Sequence, residues 1–290
     1  MLVKSYLSLI KFSHTVFALP FALVGFFLGI SKINTGTLDY KILILIVLCM
    51  VFARSAAMAF NRYIDRDIDA INPRSAQREI PAGTIRPTGA LLFVVINAAL
   101  FIVTTFFINK LCFYLSPVAL AVVLGYSLTK RFTFLCHLVL GLGLSLAPVG
   151  AFIAVTSLFG LISILFGITV LFWVAGFDII YALQDETFDK EQKLFSIPSY
   201  FGAQKALYIS KVFHFIAFLS MFFAVFLTSI HYSSQSWLTW SGFIIFTGLL
   251  VYQHSLVKYN DLSKVNMAFF TTNGMASVVF GLFYIIDYFL

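Results

Sequence analysis

Long apolar runs separated by short polar stretches set the pattern of this 290-residue chain. Windows near 14–31, 42–60, 89–109, 112–129, 134–156, 159–182, 206–229, 237–257 and 268–289 are apolar over roughly the ~20 residues an α-helix needs to cross a bilayer. None alternates apolar and polar positions, which excludes a transmembrane β-barrel. The pattern predicts an all-α, polytopic membrane protein of about nine spans with its ends on opposite sides. It forms one domain over residues 1–290, with polar loops at 61–88 and 183–205. Lys4 and Lys11 precede the first run as they would in a secretory leader, but its length and the lack of a small-residue cleavage site predict an uncleaved first helix.

Composition strengthens that reading. With 61% hydrophobic and only 11% charged residues, a water-soluble fold would have no way to hide its apolar surface. Cys49, Cys112 and Cys136 sit singly in apolar runs, so neither a disulfide framework nor a thiolate metal site is expected. Fifteen of the 19 Lys and Arg residues fall in the N-terminal stretch and in the connections after the second, fourth, sixth and eighth spans. The other connections hold only Lys32, Lys41 and Lys110. This bias predicts a cytoplasmic N-terminus and cytoplasmic polar loops, in a bacterial inner membrane. The net charge of +7 is mostly that bias, with attraction to anionic headgroups or substrates as a second use; it gives no basis for nucleic-acid binding.

The chemistry is concentrated in the two loops, which hold eight of the chain's 12 carboxylates. Asn61, Asp65 and Asp69 recur every four residues. On a helix running past the bilayer, successive members turn by only ~40°, which stacks their oxygens on one face. Asp185 and Asp189 repeat the device, with Asp178 two turns earlier on nearly the same face. Opposed acidic stripes imply divalent cations between them, and oxygen-only ligands suit Mg²⁺ bound together with substrate phosphates. Arg54 in the second span, Arg62 and Arg66 among the acids, and Lys130 with Arg131 after the fourth span supply positive charge for a di- or triphosphate. Arg54 faces an internal polar cavity or snorkels to the interface. Asp178 is either catalytic or a helix-packing carboxylate. Asp67 and Glu79 lie off the stripe and read as solvated loop residues. No Gly-rich phosphate loop is present, and His14, His137, His214, His231 and His254 are scattered, which suits packing rather than catalysis.

At these residues the chain resembles the UbiA superfamily of intramembrane prenyltransferases. The family's N-x-x-x-D-x-x-x-D motif stands as Asn61, Asp65 and Asp69. The D-x-x-Y-A-x-x-D-x-x-x-D form of its 4-hydroxybenzoate branch stands as Asp178, Tyr181, Asp185 and Asp189. A third match runs from Tyr126 through Lys130 and Arg131. The resemblance implies a ring of helices around a central cavity with a cytosolic cap, in which Asp65, Asp69, Asp185 and Asp189, assisted by Asn61, hold Mg²⁺. It further implies that Arg54, Tyr126, Lys130 and Arg131 contact the diphosphate. The expected reaction moves a polyprenyl group from a polyprenyl diphosphate to a hydroxy-aryl carboxylate of quinone biosynthesis, 4-hydroxybenzoate or 1,4-dihydroxy-6-naphthoate.

The acceptor carboxylate needs a cation, for which Lys11 and Arg66 are candidates, with Asp178 and Tyr181 nearby. Most of the 35 phenylalanines face lipid or pack helices, although ring faces can stabilise an allylic cation. Within the family, haem farnesyltransferases and chlorophyll-type synthases carry different flanking patterns. Outside it, an ion-coupled transporter would place its acids near mid-span, whereas most here lie just beyond the span ends.

Overall fold

Each apolar window holds a helix among the described residues, 2–10, 17–34, 37–232 and 237–290 of a computed structural model. In chain order these are α1 (Leu2–Leu9), α2 (Leu19–Ile33), α3 (Tyr40–Ile64), α4 (Arg66–Ile71), α5 (Pro87–Phe106), α6 (Lys110–Thr129), α7 (Cys136–Thr156) and α8 (Leu161–Ala182). There follow α9 (Glu186–Glu191), α10 (Ile197–Phe201), α11 (Ala203–His231), α12 (Trp237–Leu256) and α13 (Asn273–Phe289). Seven are long and apolar enough to cross a membrane: α3, α5, α6, α7, α8 with its continuation, α11, and α13 with the turn before it. The other two of the nine windows are weaker. The 15 residues of α2 fall short of ~20, and α12 carries Gln253 and His254 in its last turns.

Local chemistry sets the helix ends. Asp39 caps α3 by accepting from the Ile42 amide at 3.0 Å. Asn109 caps α6 through Cys112 N–H at 2.8 Å and donates to the Ile153 carbonyl at the end of α7 at 3.0 Å. Pro87 opens α5 with a fixed φ and no amide to leave unpaired. The first turn of α12 is capped from another helix: the Thr239 amide and hydroxyl donate to Asp287 of α13 at 2.9 and 2.7 Å. The three cysteines are unbridged.

Helices that follow one another pack together from α5 through α8 and on to α11, α12 packs on α13, and α13 returns to α2. Close approach needs small residues: a Cβ on Gly25 of α2 would fall on the Pro148 carbonyl of α7, and one on Gly141 of α7 would fall on the Leu171 carbonyl of α8. The most enclosed segment is α8, with 67% of its apolar window buried against 17% for α6. This makes α8 the inner post and leaves α6 facing lipid. Around α8 lies an aromatic core in which Phe21 stacks on Phe280 at 5.8 Å and Trp173 meets Phe246 at 5.5 Å.

Ahead of α13 the chain makes one π-helical stretch, Met267–Thr272. The extra residue frees carbonyls that apolar surroundings would leave unpaired. Asn273 Nδ2 donates to the Ala268 and Phe269 carbonyls at 3.1 and 2.9 Å, and Gln253 Nε2 donates to Ala268 at 2.8 Å. The Asn273 carbonyl oxygen in turn accepts from Trp173 Nε1 at 2.9 Å, which locks the bulge to α8.

Candidate active site

Both acidic motifs sit where a membrane helix runs out into the cap. At Asp65 the helix α3 ends and α4 begins, but the four-residue register survives: Asp65 N–H donates to the Asn61 carbonyl at 2.9 Å and Asp69 N–H to the Asp65 carbonyl at 2.7 Å. The second motif is likewise broken, by a 3₁₀ turn, Leu183–Asp185, between α8 and α9. The first stripe expected from spacing therefore persists across the break in its helix, and in the second Asp185 stays within electrostatic reach of Asp189.

Bases meet three of the four carboxylates, and a hydroxyl meets the fourth. Asp65, 2% exposed at its side chain, accepts from Lys130 Nζ at 2.7 Å, Arg131 Nη1 at 3.0 Å and Asn61 Nδ2 at 3.1 Å. Asp69 binds Arg78 at 2.6 Å, Asp185 binds Arg74, and Asp189 accepts from the Ser196 hydroxyl at 2.8 Å. Among the described residues no three His, Cys, Asp or Glu side chains gather as a metal-holding group. Asp65, Asp69 and Asp185 are thus matched by base partners, as carboxylates in a partly buried rim require, while Asp189 lies near Asp185.

These pairs nevertheless join the motifs. Arg74, from the first loop, grips Asp185 of the second motif and lies 4.9 Å over the Tyr181 ring. Lys130 binds Asp65 and is within electrostatic reach of Asp189. Burial, reinforced by neighbouring Asp185, pushes the Asp189 carboxyl up to about 6 against the Ser196 bond. The buried Oδ2 of Asp69 has no hydrogen-bond partner. An all-oxygen donor set with an open carboxylate oxygen and a mutually repelling acid pair fits a hard divalent cation.

Deeper in, a second cluster surrounds Tyr126 of α6, which lies within electrostatic reach of Arg54, Arg62, Asp65 and Asp178. Arg54 is therefore placed inward, beside Tyr126. Arg62, only 6% exposed, has no ion pair among the described residues, where Asp69 and Glu79 are within electrostatic reach, and its Nε finds no hydrogen-bond partner there. Among the positive charges near the acids, Arg62 is set apart only by this burial, which its spacing in the sequence does not signal.

Arg131 is already engaged, donating to Asp65 and to the Ser127 and Ile64 carbonyls, so it positions Asp65. Arg66 stays local: it donates to the Tyr63 carbonyl at 2.8 Å, lies over the Tyr63 ring and pairs with exposed Asp67. It is not brought to Asp178. Lys11 lies outside the described residues.

An aromatic wall borders the deep end. Tyr181 stacks on Phe269 at 4.2 Å, and Phe177 meets Phe269 edge-on at 5.2 Å. Phe269 belongs to the π stretch, whose register no apolar pattern signals. Above the wall, residues 194–197 strap the cap down: Leu194 N–H donates to the Asp189 carbonyl at 2.8 Å and Phe195 N–H to the Lys130 carbonyl at 2.7 Å. Ile197 N–H donates to His137 Nε2 at 3.2 Å.

Residues 18–275 match the model of the UbiA prenyltransferase family. The 4-hydroxybenzoate octaprenyltransferase of Vibrio cholerae is 31% identical over 244 residues, 83% of this chain and 84% of its own. That of Tolumonas auensis is 27% identical over 248 residues, 85% and 84% of the two chains. Among solved structures, a UbiA homologue from Aeropyrum pernix K1 superposes with a TM-score of 0.82 at 28% identity, covering 95% of this chain and 98% of that one. The Archaeoglobus fulgidus UbiA homologue bound to DMAPP and Mg²⁺ gives 0.77 at 20% identity over 99% of each chain, a likeness of fold.

Proposed function

Because the chain belongs to the UbiA prenyltransferase family, we propose that this integral membrane enzyme transfers a polyprenyl group from a polyprenyl diphosphate to 4-hydroxybenzoate. The reaction serves quinone biosynthesis, in a bacterial inner membrane with the cap facing the cytoplasm, and residues 1–290 act as one domain. The observation that carries this reading is the meeting of both acidic motifs at one rim, bridged by Arg74, with Lys130 on Asp65, above a buried cluster of Arg54, Arg62 and Tyr126. The names of the relatives support the acceptor, and the Mg²⁺- and DMAPP-bound homologue supports the donor and the metal.

Asp65, Asp69, Asp185 and Asp189, with Asn61, are the residues to hold Mg²⁺. When bound, the ion neutralises the departing diphosphate, so that the allylic C–O bond ionises more readily. Arg54, Arg62 and Lys130 supply fixed positive charge to the same oxygens without reorganisation. Phe177 and Phe269 offer aromatic rings to the allylic cation, and with Tyr181, stacked between Phe269 and Arg74, they keep out water that would trap it as an alcohol. A phenolic ring entering that wall is electron-rich enough to attack the cation.

The test is prenyl transfer in membranes containing the full chain, given labelled geranyl or farnesyl diphosphate, Mg²⁺ and either 4-hydroxybenzoate or 1,4-dihydroxy-6-naphthoate. Product that requires metal and is lost with EDTA is expected with 4-hydroxybenzoate. Product with the naphthoate alone moves the acceptor assignment, and product with neither acid refutes the reading. Asp65→Ala and Asp185→Ala are expected to abolish turnover while the protein still inserts; near-full activity in either refutes the metal assignment.

A further inference from the structure

His137, at the start of α7, is 2% exposed and fully bonded. Its Nε2 faces the amide of Ile197 at 3.2 Å, and its Nδ1 faces Asp178 Oδ2 of α8 at 2.7 Å. A backbone N–H can only donate, so Nε2 must carry the lone pair and the ring's one proton sits on Nδ1, pointing at Asp178. The imidazole is therefore neutral and has no free lone pair, which rules it out as a base. Its effect is on Asp178, whose Oδ2 it holds in one orientation. That side chain keeps 23% exposure, and Oδ1 takes no hydrogen bond from any described residue.

The placement of Asp178 is specific. It lies seven residues before Asp185, about 10 Å along an ideal helix, and so well below the acidic rim. It is flanked on α8 by Phe177 and Tyr181 of the aromatic wall, and Tyr126 is within electrostatic reach. The strap that fixes His137 also fixes the rim, because Ser196 donates to Asp189 while its neighbour Ile197 donates to His137. One dipeptide thus ties the diphosphate end of the site to the deep end.

We infer that Asp178 Oδ1 is the proton acceptor for the hydroxyl of the aromatic substrate and that His137 is its positioning residue; this rests on the aromatic prenyl transfer proposed above. The phenolic O–H proton passes to Asp178 as the ring carbon forms its bond to the prenyl carbon and the C–O bond to diphosphate breaks. The resulting dienone loses its ring proton to the released diphosphate, and Asp178 returns its proton to the oxygen. The product is the prenylated phenol, with carboxylate and imidazole restored.

The experiment compares wild type, Asp178→Asn, His137→Leu and His137→Asn on 4-hydroxybenzoate and on a ring-fluorinated analogue whose hydroxyl is already ionised at assay pH. Loss of the base is expected to lower kcat about a hundredfold or more in Asp178→Asn, with KM for the prenyl diphosphate unchanged. His137→Leu is expected to lose about tenfold in kcat, and His137→Asn, whose amide restores a donor near the Nδ1 position, recovers most of it. Both deficits shrink with the fluorinated acceptor. That ratio between acceptors is independent of how much of a variant folds. Full kcat in His137→Leu, or a deficit in Asp178→Asn equally large with both acceptors, overturns the assignment. A wild-type protein that prenylates neither acid overturns the functional reading and this assignment with it.

Discussion

Arg62 shows how a single side chain trades stability for ligand affinity. A guanidinium 6% exposed, with no ion pair among the described residues, loses hydration that the nearby charges of Asp69 and Glu79 return only in part, which usually makes an apolar replacement of similar length neutral or stabilising. Arg62→Met is expected to hold or raise the thermal midpoint in detergent, by the equivalent of ~1 kcal/mol, while prenyl diphosphate binding falls at least tenfold. Paired melting and binding measurements check both signs. A midpoint lowered by several degrees would instead mean that Arg62 is structurally bonded. Single residues were unevenly legible in the sequence. Acids stand out in a nearly acid-free chain, so Asp65, Asp69, Asp185 and Asp189 were visible by type and spacing. The pairing of His137 with Asp178 joins residues 41 positions apart, and no local pattern announces it.

At the scale of elements, apolar runs located the helices because lipid rewards length and hydrophobicity directly. The sequence was silent where one element is completed by another. The π stretch Met267–Thr272 depends on Gln253 of α12 and on Asn273, and the start of α12 depends on Asp287 of α13. Both dependences are long-range hydrogen bonds in apolar surroundings. Asn273→Leu removes donors to two carbonyls and the acceptor of Trp173, so a loss of ~1–3 kcal/mol is expected, read as a lowered thermal midpoint. Because Phe269 rides on that turn, turnover should fall in the fraction that remains folded. Gly25→Val is expected to destabilise by a similar ~1–3 kcal/mol through overpacking against α7, with no separate effect on metal dependence.

For the whole molecule, the charge bias along the sequence predicts which connections share a side of the bilayer. With Cys49, Cys112 and Cys136 replaced, single cysteines at the exposed positions Lys193 and Ser263 should react with an impermeant thiol reagent from the face that carries Arg74. Cysteines at the exposed Lys110 and Phe159 should react only from the other. Labelling of Lys193 and Phe159 from the same side would break the topology. The number of spans was only partly legible, since α2 is short and α12 is diluted by polar residues that serve its neighbours.

The strap at 194–197 also bears on engineering and on drift of the chain. Its four residues are bonded to Asp189, Lys130 and His137, at the rim and at the floor, so an insertion there would uncouple both ends of the site in one step. The turn at Ser157–Phe159, on the opposite side, bonds only to its own neighbours. Length variation and fusion partners should therefore be tolerated at the far turns, while the segment between α9 and α10 keeps a constant length.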